Sequence, residues 1–215
     1  MKIFKTLIAG LFLFTATGML HLFTGSGLVH AQNRYVAPDG TNSGNCSAGS
    51  SPCATIVYAL NWSEQGDVIH VQAGTYTETL FIGKNVTIRG AGAGETIIQA
   101  HAVRGFATSR VVHVGESATS ARIEDVTIRH GNDPVAGSVG GGGIFVQGTL
   151  AVVNASVESN NAAGTGGGLS GETTSRITLA NTAVSGNAAV AMQVGTCSNS
   201  TCATSQVVPT SMNSG

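Results

Sequence analysis

Residues 141–160 read GGGIFVQGTLAVVNASVESN, and residues 166–187 read GGGLSGETTSRITLANTAVSGN. The two strings align. Gly166-Gly-Gly-Leu169 repeats Gly141-Gly-Gly-Ile144 at an offset of 25, Ile177 and Leu179 echo Leu150 and Val152 at 27, and Val184-Ser-Gly-Asn187 repeats Val157-Glu-Ser-Asn160 at 27. A period in the twenties marks a solenoid, whose single turn cannot bury its apolar face and must stack on its neighbours. Asn tolerates left-handed backbone and suits tight corners, so Asn160 and Asn187 are expected to stack coil upon coil. The Gly runs at 140–143 and 166–168 are expected at corners or close backbone approaches. No Gly-Lys-Ser/Thr follows them and no helical pattern begins there, which argues against a phosphate-binding loop.

The same chemistry extends upstream. VIHV (68–71), LFI (80–82), VTI (86–88), TII (96–98), VVHV (111–114) and VTI (126–128) are short, β-branched and bounded by Gly, Asn or Asp. They alternate at period two, as strands do. Asn85-Val-Thr-Ile-Arg-Gly90 returns 40 residues on as Asp125-Val-Thr-Ile-Arg-His130. With coils of about twenty residues this interval is two coils. Arg89 and Arg129 are then equivalent outward positions, roughly 9–10 Å apart by strand spacing. His70 and His113 are expected to face outward. Leu is too sparse for leucine-rich repeats, amphipathic helical runs are absent, and an antiparallel sandwich predicts no internal similarity. The fold class is therefore all-β, a parallel β-helix. One helix is expected: Ser51 as N-cap, Pro52 at the first helical position, and Ile56, Ala59 and Leu60 on one face. It would cover the open end of the solenoid, whose strand edges and core need a cap.

Composition bounds the function. The 215 residues include 30 Gly, carry only 10% charged residues, and sum to a formal charge of −1. No clustered basic surface points to nucleic acid. An apolar content of 42% argues against disorder. Residues 1–31 read as a secretory signal: Lys2 and Lys5, an apolar run from Leu7 to Leu20, and a small-residue cleavage site at Val29-His-Ala31. A retained membrane anchor is the alternative, since Leu7 to Val29 is long enough to span. Residues 32–66 are expected to form the cap, 67–194 the coils, and 195–215 a Ser/Thr-rich tail or second cap. Cleavage of the signal would leave no stable membrane span and place the protein outside the cell or on its surface. In an exported chain the even count of Cys46, Cys53, Cys197 and Cys202 indicates disulfides. Three connectivities exist, of which 46–53 with 197–202 is the simplest. The spacings lack the C-x2-C knuckles of zinc sites.

Several strings carry a family resemblance. These are Tyr35-Val-Ala-Pro-Asp-Gly40, Pro52-Cys-Ala-Thr-Ile56, Gly66-Asp-Val-Ile69, Gly74-Thr-Tyr-Thr-Glu78 and Asn85-Val-Thr-Ile-Arg-Gly-Ala-Gly92. In this order they resemble the N-terminal region of secreted bacterial right-handed parallel β-helix proteins of the pectin-lyase-like superfamily, over residues 35–100. The later Gly-Gly-Gly-Ile and Val-x-x-Asn strings resemble, more weakly, the repeats of polymorphic outer-membrane proteins. That pattern has Phe where Val157 and Val184 stand, and Ala where Gly143 stands. The resemblance implies a right-handed coil. The superfamily spans lyases, hydrolases, epimerases, tailspikes and adhesins, so fold alone does not choose among them.

Two functional readings follow. Calcium-type lyases of the superfamily need clustered Asp and an Arg base, and its hydrolases need Asp pairs. Here Asp39, Asp67, Asp125 and Asp133 are scattered after the leader, no Asp-Asp occurs, and Lys84 is the only later lysine. The first reading is a non-catalytic module, structural or binding extracellular polysaccharide or cell-surface components, with no cofactor. The second is a lyase or hydrolase acting on acidic polysaccharide, with Ca²⁺ under that alternative only. The candidate ligand-binding residues are Arg89, Glu124, Asp125, Arg129, His130, Asp133 and Glu158, where carboxylates beside a His could do acid/base work. The arginines could bind an acidic sugar. Ordinary solvated charges and a turn before Pro134 explain the same residues. Convergence of Asp125, Glu158, His130 and an Arg in a cleft would favour the enzyme. The loops are short except 99–110 and 130–143.

Overall fold

The computed structural model describes residues 30–135, 138–189 and the backbone of 201–203. The expected signal, the expected 195–215 tail and the Cys197–Cys202 pair lie wholly or partly outside the described residues.

Successive turns of chain stack into a parallel β-helix. Asn33–Val36, Val68–Val71, Thr87–Arg89, Ala121–Glu124, Thr149–Val153 and Arg176–Ala180 pair in parallel in that order as a first sheet. Gly74–Thr77, Thr96–Gln99, Thr127–Arg129, Ser156–Glu158 and Ala183–Ser185 form a second. Leu80–Ile82, Val112–Val114, Ile144–Val146 and Leu169–Gly171 form a third. A small sheet of Asn132–Asp133, Asn161–Ala162 and Ala188–Ala189 lines one corner. Thr201–Ala203 adds the one antiparallel pairing among the described strands, against Arg176–Thr178.

Register explains the core. Ile69, Ile88, Ile123, Val152 and Leu179 are successive partners in the first sheet, and Tyr76, Ile98, Ile128, Val157 and Val184 in the second. Leu80, Val112, Ile144 and Leu169 do the same in the third. Nearly all of these side chains are buried, and they form one apolar cluster along the axis. The 25- and 27-residue offsets in the sequence are true register steps: Ile144 meets Leu169, Leu150 meets Ile177 and Val157 meets Val184.

The 40-residue offset is not. Thr87–Arg89 is a strand of the first sheet, where Arg89 partners Glu124, whereas Arg129 sits in the second sheet beside Gln99 and Glu158. The matching strings share strand chemistry, which is the same on any face of the coil. The expected equivalence of Arg89 and Arg129, two coils apart on one face, is thus corrected. Coil length also varies: from Ile69 to Ile88 is 19 residues, but from Ile88 to Ile123 is 35, because a long loop precedes Val112.

The corners are held by two ladders. Asn160 is fully buried; its Oδ1 accepts from Gly131 N, and its Nδ2 donates to Ile128 O and to Asn187 Oδ1 at 3.0 Å. Asn187 Nδ2 donates in turn to Val157 O. The left-handed residue of this corner is the one before, Ser159 or Gly186, with His130 in the coil above. The second ladder is exposed. Asp125, Asn154 and Asn181 have φ of +58, +50 and +48, and Asn154 Nδ2 donates to Asp125 Oδ1 while Asn181 Nδ2 donates to Asn154 Oδ1. The Gly runs are close approaches: a Cβ on Gly142 would stand 1.7 Å from Asn161 O.

The N-terminal end is closed by the helix Ile56–Trp62, which buries Ile56, Ala59 and Leu60. Its N-cap is Thr55, not Ser51. The helix starts late because Cys53 is extended, bridged in parallel to Val36, and disulfide-bonded to Cys46. Both helix ends are anchored by the first coils. The Glu78 carboxylate accepts from the Ile56 and Val57 amides, and Lys84 Nζ donates to Leu60 O and Ser63 O. Each charge has the sign that the helix dipole favours. In the first strand the core column is headed by Arg34, the partner of Ile69. Arg34 is buried and paired with fully buried Asp67 at 2.8 Å; Asp67 also accepts from the Gln32 and Glu64 amides.

Burial works to raise the Asp67 carboxyl, but these amides and Arg34 outweigh it and hold it below the ordinary range. Its stabilisation is therefore complete above the usual aspartate pKa and is lost as pH falls through the depressed value. Asp67→Asn is expected to cost about 3–5 kcal/mol by leaving Arg34 buried without its counter-ion, read as a lowered denaturant midpoint. Asn160→Ala strands buried donors and acceptors in two coils and is expected to cost about 2–4 kcal/mol, read the same way.

Candidate functional site

The seven candidate residues do not converge. Arg89 and Glu124 meet on the outer face of the first sheet. Glu124 is buried and held by both Arg89 and Arg122. Burial opposes its charge, yet the two guanidinium groups keep its carboxyl below the ordinary range. Beside this trio, His70 stacks on Tyr35 at 5.3 Å and bonds Asn33 Oδ1, with burial and the Arg89 charge lowering its pKa. Asp125 belongs to the exposed corner ladder. Arg129 donates to Gln99 Oε1 on the outer face of the second sheet, and Glu158 accepts from its neighbour Ser156. His130 sits at a corner near His101 O. Among the described residues, no three His, Cys, Asp or Glu side chains gather where they could hold a metal ion.

Asp133 leads elsewhere, to a cleft of about 390 Å³ on the outer face of the third sheet. The two long loops picked out by length in the sequence wall it. The loop before Val112 contributes Thr108, Ser109 and Arg110; the one after Asn132 contributes Asp133, Pro134 and Val135. Phe81 and His113, from the outward row of the sheet, form its floor. Phe81 partners His113, which partners Phe145. Period-two alternation sends these three outward because Leu80, Ile82, Val112, Val114, Ile144 and Val146 point in. His113 meets Phe81 edge-on at 5.2 Å and Phe145 at 5.3 Å.

The row is covered unevenly. Arg110 lies over the Phe145 ring, 4.5 Å from its centre, and pairs with Asp133 at 3.1 Å. Asp133 is 3% exposed and also accepts from Ser138 Oγ and Val135 N. Phe145 is consequently buried, while Phe81, which Arg110 does not cover, is 62% exposed. His113 Nε2 is 2.7 Å from Gln147 Oε1, and Gln147 Nε2 donates to Glu172. Farther along the first loop, Arg104 donates to Gly186 O, pinning the loop across the later coils. Arg110, His113, Gln147 and Phe81 were not singled out as site residues from the sequence. The usable signal was loop length together with an aromatic-His-aromatic row, which appears only once register is known.

No family model matches this chain, and no curated protein matches it. Among solved structures it is similar to a pectin methylesterase mutant in complex with a hexasaccharide, at 14% identity and a TM-score of 0.46. The match covers 73% of this chain and 50% of that one, so the chain spans about half of that protein's length. Likeness at this level says nothing about chemistry, and the parallel β-helix stands on the strand pairing described above.

Asp133 is the keystone of the cleft wall. Asp133→Ala is expected to destabilise the protein by about 3 kcal/mol through the unpaired Arg110, and to make the loop around Val135 and Ser138 sensitive to limited proteolysis under conditions where the parent resists.

Proposed function

We propose that this chain is a non-catalytic carbohydrate-binding β-helix, acting outside the cell or on its surface, and that the cleft on the third sheet is its binding site. The observation that carries this is the exposed Phe81 ring standing against a wall of hydrogen-bonding side chains. A sugar ring offers an apolar C–H face and a rim of hydroxyls. An open aromatic face takes the former, while Asn132, Thr79, Thr108 and Ser109 give and accept bonds to the latter. Binding clefts have this composition, a mainly apolar lining with a few placed polar groups. The Cys46–Cys53 disulfide supports an oxidising compartment.

A binding role rather than a hydrolytic or lytic one is supported by the state of the carboxylates. Asp133 is committed to three donors, and Glu124 to two guanidinium groups. A general acid or base needs a carboxyl free to exchange a proton with substrate.

The test is affinity electrophoresis of the purified protein through gels containing soluble plant and microbial polysaccharides. Retardation by at least one polymer is expected, with no release of reducing ends or unsaturated product. Phe81→Ala is expected to weaken that retardation about tenfold with an unchanged melting temperature, since the ring is exposed. Retardation untouched by the substitution, or product release by the parent protein, would overturn the proposal.

A further inference from the structure

We infer that the cleft selects an uncharged, hydroxyl-bearing sugar, and that the chain Glu172–Gln147–His113 enforces this choice by fixing His113 as a hydrogen-bond acceptor; this rests on the carbohydrate reading of the cleft. Two independent features carry it. The first is charge. The single arginine lining the cleft, Arg110, is already spent on Asp133 and on the face of Phe145. Asp133 is buried, so its charge stays with Arg110 and is not shared with solvent. The pair cancels, and Glu172 adds a negative charge behind Gln147. A sugar carboxylate or sulfate entering here would lose water with no free counter-ion, next to two acids. That arrangement disfavours an anion strongly.

The second feature is the direction of the hydrogen bonds. An ionised carboxylate only accepts, so Glu172 requires the amide nitrogen of Gln147 on its side. The Gln147 oxygen must then face His113, and the His113 nitrogen 2.7 Å from it must be the donor, Nε2–H. In the neutral ring Nδ1 is left as a lone-pair acceptor. Nδ1 makes no hydrogen bond among the described residues, and His113 lines the cleft. A lone pair accepts from a hydroxyl and offers nothing to a carboxylate. His113 is thus a specificity-determining group, with Gln147 and Glu172 as its positioning residues.

The experiment is calorimetry on the full chain at neutral pH, with matched gluco-, manno-, xylo- and galacto-hexaoses and with hexagalacturonic acid. At least one neutral hexaose is expected to bind, with the acid at least about tenfold weaker. Equal or tighter binding of the acid that is lost in Phe81→Ala leaves the cleft as the sugar site and overturns the selectivity. Neutral binding that survives Phe81→Ala, or no binding by any of the probes, overturns both. The relay has its own readout in the ¹⁵N spectrum of the His113 ring. The parent is expected to show the Nε2–H form. Glu172→Gln keeps the side-chain volume but lets the amide chain run either way. Both tautomers should then appear, and affinity for the neutral hexaose should fall about fivefold, the worth of one hydrogen bond. An unchanged ring spectrum and affinity in Glu172→Gln, or an Nδ1–H form in the parent, would overturn the role given to His113.

Discussion

A single coil of this chain has no inside. Ile88 or Ile123 alone would lie on a ring of backbone open above and below, and it becomes buried only when the next coil sets a matching residue on it. Everything else depends on that superposition. The corners must repeat in space even where coil length does not, and the means are local: left-handed residues at Asp125, Asn154 and Asn181 along one edge, and at His130, Ser159 and Gly186 along another. Side-chain amides then bond from corner to corner, so that position in one coil dictates position in the next. At the first described coil, a charged pair and a helix cover the end of the core.

The cleft arises from a departure from this regularity. The chain lengthens before Val112 and before Ile144, and the added residues fold back over the outer face of the third sheet. They cover Phe145 with Arg110 and leave Phe81 exposed. A solenoid turns a local insertion into a site at little cost to its core, because the insertion leaves the inward columns untouched. Asp133 illustrates the join: its backbone belongs to the small corner sheet, while its carboxylate ties down the loops.

The sequence was most legible where successive coils are most alike. Offsets of 25 and 27 between residues 141–160 and 166–187 fall on actual strand partners, and Asn160 and Asn187 stack as expected. Upstream the loops break the period, and the recurrence of Val-Thr-Ile-Arg misleads because strands of two different sheets obey one pattern. Individual site residues were less legible for a related reason. Phe81, His113 and Gln147 lie more than thirty residues from one another in sequence and are joined by register, not by a motif. Glu124 and Asp125 are neighbours in sequence, yet one faces out from a strand and the other turns a corner. The cap helix was recognised by its apolar face; its true start was hidden because Cys53 spends its backbone on a strand bridge.

The direction of the bonds between coils has a mechanical corollary. Strand pairing and both corner ladders run along the axis of the helix, from one coil to the next. Traction applied along that axis would load the coils in series, so the weakest junction yields first and the rest peel away in order. A sideways pull would load whole sheets at once and meet far greater resistance. A protein built this way withstands shear across its axis better than stretching along it.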